Sequence, residues 1–306
     1  MTDALARLRG SIPPLVTPFR DGAVDYATFE RLLDFHVDRG SHGVLVTGTT
    51  GEPSVLTVAE RIRLYEIAVK TVGGRIPVVA APGGPSLADT LEMMRGAERA
   101  GVDALLVVTP YFIRPPQRGL VAYYSEIGRR TALPLMIYHI PGRTAVNVTV
   151  DTVAQIAERT PTLVGLKHAA NDLNFATELL ARMGPDFRLF VGLEELSFPM
   201  LAVGACGLMN AVGNLAPRRV AALCDRMAAN DLAAARAIHY ELFELNQAVF
   251  FDTNPIPIKY MMRRLGLIPR NEHRLPMVPA TEELERRLDG VLMRAGLMES
   301  NLAATE

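Results

Sequence analysis

The chain has 306 residues, 49% of them apolar, and a formal net charge of −1 at pH 7. That composition supports a large buried core and excludes an intrinsically disordered chain. With no basic stripe or arginine run, it also argues against a nucleic acid partner.

The first ten residues, Met1 to Gly10, mix small, acidic and basic side chains and lack the apolar centre of a secretory signal. Short, near-continuously apolar runs then alternate with helical patterns. The first run is Ile12–Phe19. Between Tyr26 and Val37, the positions Phe29, Leu32, Leu33 and Val37 fall on one helical face. The second run, Gly43–Thr47, leads into the loop Thr47-Gly48-Thr49-Thr50-Gly51-Glu52. Thr57 with Glu60 three residues on predicts a capping box ahead of Ile62, Leu64 and Ile67. After the run Ile76–Ala80, Ser86 and Asp89 have similar spacing before Leu91, Met94 and Ala97. The later runs are Ala104–Thr109, Leu135–Ile140, Leu163–Lys167, Arg188–Val191 and Gly207–Ala211. Gly40, Gly73, Gly101 and Gly184 sit where the helices should stop.

These are eight runs of the kind expected of strands buried on both faces, one βα unit apart. The expected fold is α/β: a (β/α)₈ TIM barrel over residues 1–216. Residues 217–306 then form a C-terminal helical extension packed on the barrel within the same domain. No GxGxxG follows the first run, which argues against a dinucleotide-binding sheet. The uncharged stretch Leu196–Pro217 is long enough for a membrane helix. Pro199, Gly204, Gly207, Asn210, Gly213 and Asn214 would burden it, so a helix end, a turn and a buried strand are expected there, and no membrane span. Cys206 and Cys224 read as free, buried thiols in a reducing compartment, hence a cytoplasmic protein.

In such a barrel chemistry collects where strands end and βα loops begin. Lys167 ends the sixth run. It is one of only three lysines, with Lys70 and Lys259, among 32 basic residues. Arginine is the default cation here, and a lysine at a strand end can do what arginine cannot: lose its proton and attack a carbonyl. The plainer reading is a side chain that snorkels to water. Tyr138 ends the neighbouring strand, where its phenol could exchange protons with an amine or imine on Lys167; it could equally be a core tyrosine. Gly48, Thr49, Thr50 and Gly51 combine hydroxyls with flexible amides, which suits a carboxylate but also an ordinary turn. Arg143 could grip a second carboxylate, or be one more surface arginine. His139 and His168 lie on adjacent strand ends. With Glu194 or Glu195 they could hold a divalent metal, but the spacing matches no ligand motif, so no metal is expected.

Taken together, these residues resemble the dihydrodipicolinate synthase and N-acetylneuraminate lyase family. The resemblance runs from Pro14-Leu15-Val16-Thr17-Pro18-Phe19 through Gly48–Glu52, Thr109-Pro110-Tyr111, Tyr138 with Ile140–Thr144, and Gly165-Leu166-Lys167. It continues to Asn254-Pro255-Ile256-Pro257-Ile258-Lys259 and Leu275-Pro276. It implies a class I (Schiff-base) lyase in which Lys167 forms an imine with pyruvate or a related 2-oxo acid, the partner being an aldehyde. Tyr138 would move protons with Thr49 in relay. Thr50 would bind the carboxylate, Arg143 would meet the second substrate, and Gly192 and Met209 would line the pyruvyl group. No cofactor is implied, since the lysine is the electron sink, and a homotetramer, a dimer of dimers, is expected.

Three positions depart from the synthase pattern. Phe112 stands where a second tyrosine joins the relay across a subunit interface, and Tyr111, pointing the opposite way in extended chain, is not expected to replace it. His139 and His168 replace an asparagine and an acid. These departures, with Gly192–Leu196 and Asn246–Phe250, favour a catabolic 4-hydroxy-2-oxo acid aldolase. The alternative is dihydrodipicolinate synthase itself, condensing pyruvate with aspartate semialdehyde. A decarboxylating sugar-acid dehydratase is a third enzymatic option, and a non-catalytic 2-oxo acid sensor is the reading from another class. Pro53, Val58, Arg61 and Pro85 lack the polar groups of the synthase's lysine-inhibition site.

Overall fold

The computed structural model describes residues 3–298. Eight parallel strands form the barrel: β1 (Gly10–Ser11), β2 (Val44–Val46), β3 (Val78–Ala80), β4 (Ala104–Val108), β5 (Leu135–His139), β6 (Leu163–His168), β7 (Arg188–Val191) and β8 (Gly207–Leu208). From β2 onward each pairs with the next, and β8 pairs with β1 in the register Gly10↔Gly207. A bridge between Pro14 and Leu45 closes the ring between the first strand segment and β2. The closing seam needs glycine: a Cβ on Gly207 would lie 2.2 Å from the Gly10 carbonyl oxygen.

The first strand lies earlier than the apolar run suggested. Ladder pairing is at Gly10–Ser11, not through Ile12–Phe19. The cause is proline: Pro13 and Pro14 have no N–H to give. Ile12 N still donates to Leu208 O and Leu15 N to Leu45 O, while the carbonyls of Ser11 and Pro13 accept from His42 N and Leu45 N. Beyond Leu15 the chain leaves the barrel for a small antiparallel hairpin, Phe19–Arg20 with Ala23–Val24.

Strand pleating sorts the side chains into two layers. Leu45, Val79, Leu106, Met136, Tyr138 and Phe190 fill the barrel interior. Val44, Val46, Leu105, Val107, Ile137 and Leu166 point outward and pack under the helices. The helix signals behave as the sequence suggests. Thr57 and Glu60 form the reciprocal capping box of helix Val58–Val72, and Ser86 caps helix Leu87–Ala100. The stretch after Leu196 is a helix end (Ser197–Ala202), a turn and β8. Among the described residues, no helix is long and apolar enough to cross a membrane. Both cysteines are free; Cys224 is buried and Cys206 half-buried.

After β8, helix Pro217–Ala228 packs against β1. Four more helices follow: Leu232–Glu241, Phe243–Ala248, Ile256–Arg264 and Glu282–Arg294. They reach back to the strand ends. Asn254 touches Thr50, Lys259 pairs with Glu52, and Arg274 bonds Glu60 and the Val55 carbonyl.

Candidate active site

β5 and β6 run in register, so Tyr138 stands opposite Lys167 and His139 opposite His168. The pleat turns the first pair inward and the second outward. Lys167 is 3% exposed, and its Nζ lies 4.3 Å from the Tyr138 ring centroid. The Tyr138 hydroxyl shares a hydrogen bond of 3.2 Å with the Thr49 hydroxyl.

Thr49 belongs to a short 3₁₀ turn, Thr49–Gly51, that follows β2. Left-handed residues bracket this turn, Thr47 at φ 56° and Glu52 at φ 55°. For a β-branched residue such a φ costs about 1–3 kcal/mol and persists only where the surroundings hold it. Here the Thr47 hydroxyl bonds the Tyr65 hydroxyl at 2.8 Å and the Ala81 carbonyl at 3.1 Å. On the other side, the Glu52 carboxylate is 2.6 Å from the Lys259 ammonium. The neighbouring Thr50 hydroxyl accepts from Asn254 Nδ2 at 3.0 Å, and the Asn254 carbonyl accepts from Arg143 at 3.2 Å. Arg143 sits at the mouth on the short helix Pro141–Thr144.

A cavity of about 40 Å³ is lined by Lys167, Tyr138, Thr49, Thr50, Gly192 and Met209. A second cavity, about 250 Å³, is reached through Thr49, Tyr138 and Arg143, which line both, and Gly48 is in its wall. The structure thus brings together every residue singled out for the pyruvyl chemistry. The small chamber holds roughly three waters at about 10–15 Å³ each, the scale of a three-carbon acid. The larger one has room for a second reactant. Gly192 is required by contact: a Cβ there would fall 2.8 Å from Lys167 Cε.

The two buried lysines differ in what they can do. Lys259 Nζ donates to Glu52 at 2.6 Å and to the Glu272 carbonyl at 2.6 Å, and it lies over the Phe19 ring. Its nitrogen is committed to these partners. Lys167 makes no hydrogen bond to a protein atom among the described residues and faces the cavity, free to meet a carbonyl.

Two residues of the site escaped sequence reasoning. The sequence names Glu194 as a possible metal ligand and within Gly192–Leu196, with no role beside Lys167, yet it lines the Lys167 cavity and is 1% exposed. One of its oxygens accepts from the Ala211 and Val212 N–H groups, and the other has no protein partner. Burial pushes its carboxyl up to about 7, against the pull of the Ala211 N–H and the positive charge of Lys167. The available signal was an acidic pair directly after β7. Asn254 comes from the extension, and nothing in its local pattern announces a contact with Thr50.

His139 and His168 point away from both cavities into the helical layer against Phe175, so the structure does not bring them together with Glu194. No group of three or more potential metal-ligating side chains occurs among the described residues. Phe112 is 89% exposed at φ 72°, whereas Tyr111 lines the larger cavity with Thr49 and Tyr138. The left-handed turn at Phe112 breaks the extended geometry that was to point Tyr111 away.

Residues 7–295 match the model of the dihydrodipicolinate synthetase family. The chain belongs to this family. The 4-hydroxy-tetrahydrodipicolinate synthase of Thermus thermophilus is 44% identical over 95% of this chain and 97% of its own length. That of Thermodesulfovibrio yellowstonii is 39% identical over 95% of this chain and 99% of its own. The crystal structure of dihydrodipicolinate synthase from Aquifex aeolicus superposes with a TM-score of 0.93 at 37% identity, covering 96% of this chain and all of that one. A monomeric dihydrodipicolinate synthase variant gives the same TM-score at 36% identity, covering 97% and 99%. The protein is therefore an enzyme, a class I lyase of the pyruvate-dependent aldolase and synthase kind. The order of the two finer readings reverses: these relatives are synthases, and the aldolase reading finds no specific support among them.

Proposed function

We propose that this enzyme is a 4-hydroxy-tetrahydrodipicolinate synthase that condenses pyruvate with aspartate semialdehyde through an imine on Lys167. The observation that carries the reading is the cavity in which an unengaged lysine stands against a Tyr138–Thr49 hydroxyl pair beside Thr50. The names of the relatives supply the reaction.

Lys167 Nζ attacks the ketone carbon of pyruvate to give a carbinolamine. Loss of water leaves the imine, and loss of a methyl proton gives an enamine. Tyr138 is the group placed to move these protons, with the Thr49 hydroxyl as the next acceptor and donor. Thr50, its hydroxyl fixed by Asn254, meets the pyruvate carboxylate. The enamine carbon then attacks the aldehyde held in the larger cavity, where Arg143 offers a guanidinium to the acidic second substrate. No metal is needed, because the imine nitrogen accepts the electron pair. The family resemblance also suggests a homotetramer; a fully active monomer in sedimentation would remove that part.

Borohydride added with pyruvate tests the core of the proposal. Mass spectrometry should find one reduced pyruvyl group on Lys167, absent in Lys167→Arg. A pyruvyl group on another residue, or labelling unchanged in the variant, defeats the assignment. Comparing kcat/KM for aspartate semialdehyde with that for 4-hydroxy-2-oxo acids decides between synthase and aldolase.

A further inference from the structure

His139 and His168 form the rung directly beyond Tyr138 and Lys167 on the same ladder. Their Nδ1 atoms are 3.1 Å apart, so one proton lies between them. His168 Nε2 is 3.1 Å from the Asp172 carbonyl, which can only accept, so that nitrogen carries a proton. His168 Nδ1 is then the acceptor in the neutral ring, and His139 Nδ1–H is the donor. His139 Nε2 lies 3.2 Å from Asn147 Oδ1. With the oxygen facing it, that nitrogen too must be protonated. Three protons would then sit on two rings, and the pair would be cationic.

The surroundings decide against a cation. Both rings are buried, and His168 stacks on Phe175 with centroids 4.7 Å apart. Asp172 is the charged group facing them, and its carboxylate is engaged by Phe175 N at 2.8 Å as a helix cap. Burial pushes both imidazoles down, His168 to about 4. Asn147 is exposed, and a half-turn of its amide presents NH₂ to His139 instead of oxygen.

We propose that His139 and His168 are positioning residues: a neutral, single-direction chain from Asn147 Nδ2–H through His139 Nδ1–H and His168 Nε2–H to the Asp172 carbonyl that fixes the Tyr138–Lys167 rung. The ladder transmits it. Ala169 N donates to His139 O at 2.9 Å, and Gly192 N donates to His168 O at 2.7 Å, with Gly192 packed on Lys167 Cε. Without the outer bond, the ends of β5 and β6 can shear, and a displacement of about 1 Å at the reacting groups costs on the order of 10²-fold in rate.

The consequence for catalysis rests on the Lys167 reading above; the proton arrangement does not. In the wild-type enzyme with ¹⁵N-labelled histidine, NMR at neutral pH should show His139 protonated on Nδ1 alone and His168 on Nε2 alone. A proton on His139 Nε2, or an imidazolium, overturns the chain and needs no variant to be seen. His168→Leu removes the acceptor, whereas His168→Gln can both accept from His139 and donate to Asp172. The expected result is a kcat about 10- to 100-fold lower in His168→Leu, with KM for pyruvate nearly unchanged and most of the rate restored in His168→Gln. Equal kcat in a folded His168→Leu, or a Gln variant no better than Leu, refutes positioning. Borohydride trapping on the wild type separates the two failures: no adduct on Lys167 defeats the imine reading, while an adduct with kcat insensitive to His168 defeats only this inference.

Discussion

Gly192→Ala is the most direct test of where Lys167 must sit. A Cβ built on residue 192 would be 2.8 Å from Lys167 Cε, 2.8 Å from Ala169 Cβ and 3.2 Å from the His168 carbonyl oxygen. Ordinary contacts of this kind begin near 3.4 Å, so about 0.6 Å must be found against the two carbons. Ala169 Cβ and His168 O are fixed to the β6 segment. Lys167 Cε is the part able to move, and it is one bond from the nucleophile. Its displacement carries Nζ out of line with Tyr138, at on the order of 10²-fold in rate per ångström. Overpacking itself costs about 1–3 kcal/mol of stability. The expected variant is folded, melts somewhat lower, and loses about 30- to 100-fold in kcat, with a matching loss in the rate of borohydride trapping by pyruvate. A variant that traps pyruvate and turns over within about threefold of wild type would show that the lysine tolerates a displaced side chain and that the contact is not what holds it.

Lys259→Met strands a fully buried Glu52 carboxylate. It should cost about 3–5 kcal/mol in urea unfolding, and Glu52→Gln added to it should recover most of that; a single variant as stable as wild type would mean the pair is not buried as described. Glu194 gives a pH signature. Its folded carboxyl titrates near 7 and its unfolded one near 4.5, so between those values the folded state holds a proton the unfolded chain has released. Stability from this group is therefore complete below about pH 4.5 and lost as pH rises to about 7, and Glu194→Gln should flatten that decline in melting temperature. Free lysine at millimolar concentration should leave steady-state turnover unaltered, because Pro53, Val58 and Pro85, at the positions that resemble the synthase's lysine-inhibition site, offer no charged or hydroxyl side chain; strong partial inhibition would reveal a site elsewhere.

The barrel was legible because its determinants are local. Buried parallel strands read as unbroken apolar runs, and Thr57, Glu60 and Ser86 cap the helices they precede. The first strand was misplaced because apolar content marks burial, while ladder pairing also needs N–H donors that Pro13 and Pro14 lack. Lys167 stood out because lysine is rare here and its strand-end position is set by register alone. Glu194 and Asn254 were not legible in the same way. Their roles depend on one oxygen left without a partner and on an extension folding back over 200 residues to Thr50, and neither is a property of a window of sequence.

The reversal from aldolase to synthase rests on the relatives, and the structure shows where the departures lie. Three of the features that favour an aldolase, Phe112, His139 and His168, are sequence neighbours of Tyr111, Tyr138 and Lys167, whereas Gly192, Leu193, Glu194 and Phe250 from the other two segments line the small cavity. Phe112 is exposed on the single chain, where a side chain that acts across a subunit interface would stand, and His139 and His168 alternate to the outer face of their strands, so none of the three lines either cavity of its own chain. The small cavity is also lined by the set the family resemblance names: Lys167, Tyr138, Thr49, Thr50 and Arg143. The phenol missing at position 112 is accompanied by Tyr111 in the wall of the larger cavity, a hydroxyl-bearing side chain beside Thr49 and Tyr138. A substitution one residue along a strand from a reactive group changes what that strand is packed against, not what the substrate meets. The outer histidines can therefore differ from the synthase pattern while the inner surface keeps the chemistry.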